Sequence, residues 1–239
     1  MRYDGRQADD LRPLKIKRRY TRTAPGSVLI SAGQTTVLCC AAVAAEVPAW
    51  LKGQGRGWLT AEYSMLPGST SPRKRRERGA NLDGRTTEIQ RLIGRSLRAV
   101  VDRKAMGEMS VTLDCDVLNA DGGTRCASIT GAYVALTLAF RKLVENRVIA
   151  AVPLLGHVAA ISCGLIDGKA VLDLDYAEDS TAQADANFVL TEDGIVEIQG
   201  TAEQQAFSEQ QFHDMMALAK LGTAQLFAAQ RAALGATIA

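Results

Sequence analysis

Short apolar runs alternate with glycine-containing breaks along the chain, and this pattern predicts most of its secondary structure. Two β-rich runs, 26–30 and 35–43, flank a loop around Gly33 and indicate a hairpin. Residues 86–103 carry apolar side chains at helical spacing, which predicts an α-helix. Residues 108–118 alternate apolar and polar side chains, which is typical of a strand with one solvated face.

The second half of the chain shows the same kind of pattern. An apolar segment that ends near Leu143 predicts a buried helix. The Asp-Gly pairs at 167–168 and 193–194 lie between β-rich runs and indicate two tight hairpins. A capping box of Ser208 and Gln211 marks the start of a final long helix.

Both halves of the chain thus consist of hairpins followed by a helix, and 239 residues can form either one domain or two closely packed halves. Between Gly68 and Gly84 the chain is rich in glycine and charge, so we expect a long, mobile, exposed loop. No apolar run reaches the roughly 18 residues that a membrane span needs. The N-terminus has no apolar signal region, so the expectation is a cytoplasmic protein that does not contact a membrane.

Charge is distributed unevenly in a chain whose formal net charge is only +2. Residues 1–104 hold 21 Lys and Arg against 9 Asp and Glu, whereas residues 105–239 hold 7 against 17. A basic cluster at 73–78 contains Arg73, Lys74, Arg75, Arg76 and Arg78. A basic half beside an acidic half predicts one surface for a polyanion and another whose carboxylates hold metal ions. The predicted helix 86–103 carries three further arginines at helical spacing, Arg91, Arg95 and Arg98. They form either a second basic stripe or an ordinary solvated helix face.

A candidate phosphate site lies between the predicted strand 108–118 and the buried helix after it. In the sequence Asp-Gly-Gly-Thr-Arg at 121–125, backbone N–H groups can point at an anion near the positive end of the helix dipole. Thr124 adds a hydroxyl donor, and Arg125 can hold phosphate oxygens with two parallel hydrogen bonds. A tight strand-to-helix turn capped by the threonine is the alternative interpretation.

Five carboxylates lie within 13 residues, at Asp173, Asp175, Glu178, Asp179 and Asp185. The run 170–176 is predicted to be a strand with Asp173 and Asp175 on one face, and Asp185 is expected just before the next strand. Mg²⁺ prefers one or two carboxylates together with substrate phosphates and waters, so this cluster predicts a magnesium site. A solvated edge with turn-forming aspartates is the alternative.

Four long motifs resemble the bacterial ribonuclease PH family, in the family's order and across essentially the whole chain: 52–63, 84–93, 113–125 and 176–180. The resemblance implies an α/β (α+β) fold, with two layers of sheet and helix like ribosomal protein S5 domain 2, in a single catalytic domain over residues 1–239. It also implies a ring-shaped homo-hexamer, a trimer of dimers. The implied activity is phosphorolytic 3′-to-5′ exoribonuclease, or tRNA nucleotidyltransferase. Such an enzyme trims tRNA precursors and releases nucleoside 5′-diphosphates, and in reverse it adds nucleotides to RNA 3′ ends.

The resemblance also implies roles for particular residues. The residues that it implies for binding inorganic phosphate, the co-substrate, are Arg85, Gly123, Thr124 and Arg125. Asp179 and Asp185 form the catalytic acidic pair and hold Mg²⁺, with Mn²⁺ as the alternative ion and proton transfer as a second option for Asp185. The basic cluster 73–78 is expected to contact tRNA. Two rivals are a non-catalytic RNA-binding ring subunit and a hydrolytic two-metal nuclease, and omission of phosphate separates hydrolysis from phosphorolysis.

Overall fold

The computed structural model describes residues 2–77, 83–203 and 205–235, and two β-sheets organise these parts of the chain. The first sheet contains β1 (Leu14–Arg18), β2 (Gly26–Ala32), β3 (Thr35–Ala44), β4 (Trp58–Met65) and β5 (Ser110–Asn119), in the order β1-β2-β3-β5-β4. The second contains β6 (Val158–Ile166), β7 (Lys169–Leu172), β8 (Ala184–Thr191) and β9 (Ile195–Ala202), in the order β7-β6-β8-β9. Neighbouring strands are antiparallel except β4 and β5, which are parallel.

The described residues form five α-helices: α1 (Gly84–Arg98), α2 (Arg103–Met106), α3 (Thr124–Glu145), α4 (Tyr176–Asp179) and α5 (Glu209–Leu234). α1 packs on β4, while α5 packs on β6 and β7. The sheets and helices thus form packed layers, and the predicted sheet-and-helix fold is confirmed.

Helix α3 lies between the two sheets and forms the centre of the core. It contacts β2 and β3 on one side and β6 on the other. Apolar side chains surround the helix on most sides, as expected for a helix covered all round. By length and composition alone α3 could cross a membrane, but most of its apolar stretch is buried inside the protein, as in the core helix of a soluble protein.

Several local predictions are confirmed. The first hairpin is β2 and β3, and the alternating run is β5, in which every second side chain from Val111 to Val117 is buried. The hairpin turn after β6 uses positive φ angles at both Asp167 and Gly168, which matches an Asp-Gly turn. At the start of α5, Ser208 and Gln211 form the predicted reciprocal capping box.

Two boundaries predicted from the sequence are wrong. Helix 86–103 ends at Arg98 rather than Arg103, and the side chain of Asp102 then accepts hydrogen bonds from the N–H groups of Lys104 and Ala105 to start the separate turn α2. The periodicity continued because the buried Val100 and Val101 fill the core without being helical.

The strand predicted over 170–176 is also too long. β7 ends at Leu172, because Asp173 adopts a positive φ of 54° and Asp175 caps α4. Asp173 and Asp175 therefore do not share a strand face. Asp185 lies inside β8, opposite Gly164 of β6 and Thr201 of β9, rather than before the strand.

Candidate active site

The phosphate loop, which we define as residues 121–125, joins β5 to α3. Gly123 precedes the first residue of α3 in a left-handed conformation, with φ of 63°. The hydroxyl groups of Thr124 and Tyr63 are 2.8 Å apart, which ties the start of α3 to β4. At Gly122 an added Cβ would lie 2.6 Å from the carbonyl carbon of Asp175, so the loop backbone presses directly on the segment that leads into α4.

Arg125 is held in place by two polar side chains that the sequence analysis did not single out. Its Nη1 donates to Gln199 Oε1 at 2.8 Å and to Glu88 Oε2 at 3.3 Å. Gln199 Nε2 in turn donates to Glu88 Oε1 at 2.8 Å. Because Glu88 follows Arg85 by three positions on α1, the two residues share a helix face. This spacing is the feature of the sequence that could have indicated a role for Glu88 in the site.

Arg85 lies in the first turn of α1, and its side chain is exposed. The Asp83 carboxylate accepts a hydrogen bond from the Arg85 N–H at 3.3 Å and so caps the helix. Arg85 is near enough to Asp179 and Asp185 that its charge acts to lower the pKa of both carboxyls. Arg85 and Arg125 thus both lie within electrostatic reach of the two aspartates.

Asp179 ends α4 as a residue that is exposed overall, Asp185 lies half-buried in β8, and the charge of Asp185 acts on the Asp179 carboxyl. Partial burial raises the pKa of Asp179 above its ordinary value, and the charge of Asp185 raises it further, while Arg85, Arg125 and Arg12 act in the opposite sense. Burial likewise raises the pKa of Asp185, against the lowering effect of Arg125. Two partly desolvated carboxylates facing two arginines form a site at which a bound cation would relieve repulsion.

The other carboxylates of the acidic run serve the structure. Arg12 and Asp173 are both buried and paired, with Arg12 Nη2 2.7 Å from Asp173 Oδ1 and Arg12 Nε 3.1 Å from Asp173 Oδ2. Arg12 Nη1 also donates to the backbone carbonyl of Asp121 at the start of the phosphate loop. One buried ion pair therefore joins the N-terminal segment, the phosphate loop and the chain that leads into α4.

The extreme N-terminus fixes α4 itself. Arg2 Nε donates to Glu178 Oε1 at 2.6 Å, and Arg6 Nη2 lies 3.2 Å from Glu178 Oε2. The Tyr3 hydroxyl donates to Asp175, and this bond, the largest of several causes, raises the pKa of Tyr3 to about 12. Asp175 and Glu178 cap each other's backbone at the start of α4. Of the five carboxylates in the acidic run, Asp179 and Asp185 are the two that the structure brings beside Arg85 and Arg125.

The basic cluster divides into paired and exposed side chains. Lys74 Nζ lies 3.0 Å from Glu77 Oε1, which also accepts a hydrogen bond from the Thr86 hydroxyl at 2.9 Å, so this part of the loop folds back onto α1. The exposed cations of the cluster are Arg73, Arg75 and Arg76, and Arg78 lies outside the described residues.

The second basic stripe is largely engaged in the fold. Arg95 pairs with Glu197 of β9 at 2.7 Å. Arg98 donates to the Leu59 carbonyl at 2.9 Å and covers the Trp58 ring at 4.9 Å, and burial lowers its pKa. A structural role thus explains two of the three arginines in the stripe.

Comparison with known families identifies the class of protein to which this two-sheet fold belongs. Residues 10–142 match the 3′ exoribonuclease family, domain 1, and residues 156–222 match its domain 2. The chain belongs to this family. It is 55% identical over 236 residues to ribonuclease PH of Methylobacterium radiotolerans, covering 98% of this chain and all of that protein. It is 56% identical over 237 residues to ribonuclease PH of Rhodospirillum rubrum, covering 98% of each.

Solved structures show the same fold at low sequence identity. Rice Rrp46 superposes with a TM-score of 0.80 at 18% identity, covering 98% of this chain and 100% of that one. A chain of the Archaeoglobus fulgidus exosome with RNA bound to the active site gives 0.80 at 19% identity, covering 96% and 92%. The predicted activity, phosphorolytic 3′-to-5′ exoribonuclease of tRNA processing, is confirmed by family membership and the ribonuclease PH matches, and phosphate is its co-substrate. The non-catalytic ring subunit is not favoured.

Proposed function

We propose that the phosphate loop, Arg85 and Arg125 bind the attacking inorganic phosphate, and that Asp179 and Asp185 act on the reacting RNA end. The observation that carries this assignment is that α1, α3, α4 and β8 converge there, so that both arginines act on both carboxylates. The N–H groups at Gly123 and Thr124 begin α3, where a helix dipole favours an anion. Glu88 and Gln199 would keep the Arg125 guanidinium in one orientation.

In the proposed reaction an oxygen of inorganic phosphate attacks the phosphorus of the last phosphodiester. The bond from that phosphorus to the 3′ oxygen of the preceding nucleotide breaks, and the 3′ oxygen takes up a proton. The products are an RNA shorter by one nucleotide and a nucleoside 5′-diphosphate. Because phosphate is the nucleophile, the site needs no base to deprotonate water, and its main tasks are alignment and charge neutralisation. The raised pKa of Asp185 supports an alternative to metal binding, in which its protonated carboxyl gives the leaving oxygen its proton.

The same two aspartates would hold Mg²⁺, with Mn²⁺ as an alternative. The described residues contain no cluster of three or more His, Cys, Asp or Glu side chains that could enclose a metal ion. A pair of repelling carboxylates nevertheless fits Mg²⁺, because this ion usually takes one or two carboxylates and completes its shell with waters and substrate phosphates. When bound, the ion would neutralise charge on the reacting phosphates.

The substrates we propose are tRNA precursors, with Arg73, Arg75 and Arg76 binding the RNA body through its phosphates. We also propose a homo-hexameric ring, a trimer of dimers, in the cytoplasm. Support for the ring comes from family membership and from the fold shared with exosome subunits. Sedimentation of the purified protein gives the number of subunits directly.

The test is product analysis on a 3′-extended tRNA with Mg²⁺, with and without inorganic phosphate. We expect nucleoside diphosphates only when phosphate is present, and a loss of about a hundredfold or more in the Arg125→Ala and Arg85→Ala variants. Arg91→Ala is the matched control, because Arg91 is an exposed arginine on the same helix as Arg85. Release of monophosphates without phosphate, or equal activity of all three variants, would overturn the assignment.

A further inference from the structure

A basic groove lies at the far end of α3 from the phosphate loop, and nothing in the proposed site uses it. It has a volume of about 770 Å³ and is formed by the end of β1, the loop before β2 and the last turns of α3. Its charged lining residues are Arg18, Arg19, Arg22, Arg141, Lys142 and Glu145.

The charges of this groove are mostly uncompensated. In the described part of the chain, the side chains of Arg18, Arg19 and Arg22 make no hydrogen bond or ion pair, and all three are exposed. Arg141 donates to the Leu234 carbonyl at 2.6 Å, and Lys142 pairs with Glu145 at 3.2 Å. Five cations against one carboxylate give the groove a formal charge of +4, larger than that of the whole chain, which is +2.

Ordinary structural roles explain part of this charge. Lys15 and Lys17 lie on β1, an edge strand, where lysines discourage pairing with another sheet. Cations near the end of α3, such as Lys142, favour the negative end of the helix dipole. Neither reason applies to Arg19 and Arg22, which follow β1 in a loop.

An exposed aromatic residue, which does not itself line the groove, lies between two lining residues in the sequence. Tyr20, between Arg19 and Thr21 in sequence, is 52% exposed. Aromatic rings next to arginines in a positive groove are the usual means by which proteins bind the backbone and bases of single-stranded RNA without reading its sequence.

We propose that this basic groove binds the phosphodiester backbone of the RNA substrate well upstream of its 3′ end. The inference rests on the proposed function, since it takes the RNA end to lie at the phosphate loop. α3 rises about 1.5 Å per residue, so Arg141 lies about 25 Å along the helix axis from Thr124. Because α3 is buried between the two sheets, RNA must pass around it, so at about 3.4 Å per stacked nucleotide the groove is about seven or more nucleotides from the reacting end.

Because only a long RNA can reach from the phosphate loop to the groove, RNAs of different length test the proposal. We compare Arg18→Ala/Arg19→Ala/Arg22→Ala with the unchanged protein on a 3′-extended tRNA and on an RNA of about four nucleotides, which is too short to reach the groove. We expect KM for the long RNA to rise about tenfold or more and KM for the short RNA to stay the same. In direct binding of the long RNA, measured without phosphate, the salt dependence should fall by two to three counterions, about 0.7–0.9 per lost contact.

The matched control removes the same charge from elsewhere on the surface, in Lys104→Ala/Lys169→Ala/Lys220→Ala, at three exposed lysines. An unchanged salt dependence, or an equal effect of both triple variants, would overturn the groove proposal. A groove variant that changes the number of subunits but not RNA binding would also overturn it, by showing that another protein chain occupies the groove. Failure of the proposed catalysis would appear separately, as absent phosphorolysis of the short RNA by the unchanged protein.

Discussion

Replacing Gly122 by alanine tests whether the phosphate loop and the α4 segment form one rigid unit. Gly122 has φ of +70°, and a Cβ there would lie 2.6 Å from the Asp175 carbonyl carbon and 2.7 Å from the Leu174 carbonyl oxygen. A left-handed conformation costs an L-residue about 1–2 kcal/mol. Forcing extra atoms into a packed contact costs about 1–3 kcal/mol more, and backbone cannot move aside as a flexible side chain can. We expect Gly122→Ala to lose about 2–5 kcal/mol of unfolding free energy.

Gly168→Ala is the matched control. Gly168 has a similar φ of +75°, but an added Cβ there would meet nothing within 4 Å. Only the conformational cost of about 1–2 kcal/mol should then apply. Chemical denaturation of both variants separates the free-energy cost of the close approach at Gly122 from the cost of a positive φ.

Activity gives a second readout of the same change. A shift of the loop against α4 by about 1 Å can reduce turnover about a hundredfold, because phosphate and RNA end would no longer be aligned. We therefore expect Gly122→Ala to lose phosphorolysis, and Gly168→Ala to keep it. If the two variants were equally stable and equally active, the loop would not be braced by the α4 segment, and this part of the reasoning would be wrong.

Three further predictions concern charged groups. Because burial raises the pKa of Asp179 above 3.8, folding favours its protonated form, and stability falls as pH rises from that value through the raised pKa. With a chelator at neutral pH, Asp179→Asn should therefore melt higher than the unchanged protein, while its phosphorolysis falls about a hundredfold. Arg12→Met should cost about 3–5 kcal/mol in denaturant titrations, because the buried Asp173 loses its guanidinium at 2.7 Å and keeps only the N–H of residue 12 and the more distant Arg6, and adding Asp173→Asn should recover part of the loss. Arg95→Ala should cost less than about 1 kcal/mol and leave RNA affinity in filter binding unchanged, because its partly exposed pair with Glu197 is structural.

The features that the sequence could predict are those encoded by neighbouring residues. The Asp-Gly turn at Gly168, the capping box at Ser208 and the alternation along β5 each depend on a few consecutive positions. The start of α3 at Thr124 belongs to the same group, since the two glycines after the strand tolerate the positive φ angles of the turn that leads into the helix. Such signals survive in the fold because tertiary packing agrees with them.

The features that the sequence could not predict depend on partners far apart in the chain. The strand 170–176 was extended too far because nothing local shows that Arg12, 161 positions away, binds Asp173 and turns the backbone. The hydrogen bonds that orient Arg125 likewise join α1, α3 and β9. A run of carboxylates therefore indicated a site, but only the folded chain separates Asp179 and Asp185 from the carboxylates already neutralised by arginine.

The ion pair between Arg2 and Glu178 has a consequence for the growing polypeptide. The two residues are 176 positions apart, so Arg2 can form this ion pair only after most of the chain has been synthesised. The first 104 residues, which leave the ribosome earlier, carry a formal charge of +12, whereas Asp179 and Asp185, the two carboxylates of the proposed site, come much later. The part of the chain that is synthesised first is thus strongly cationic, and the proposed catalytic centre can be completed only after α4 and β8 have been made.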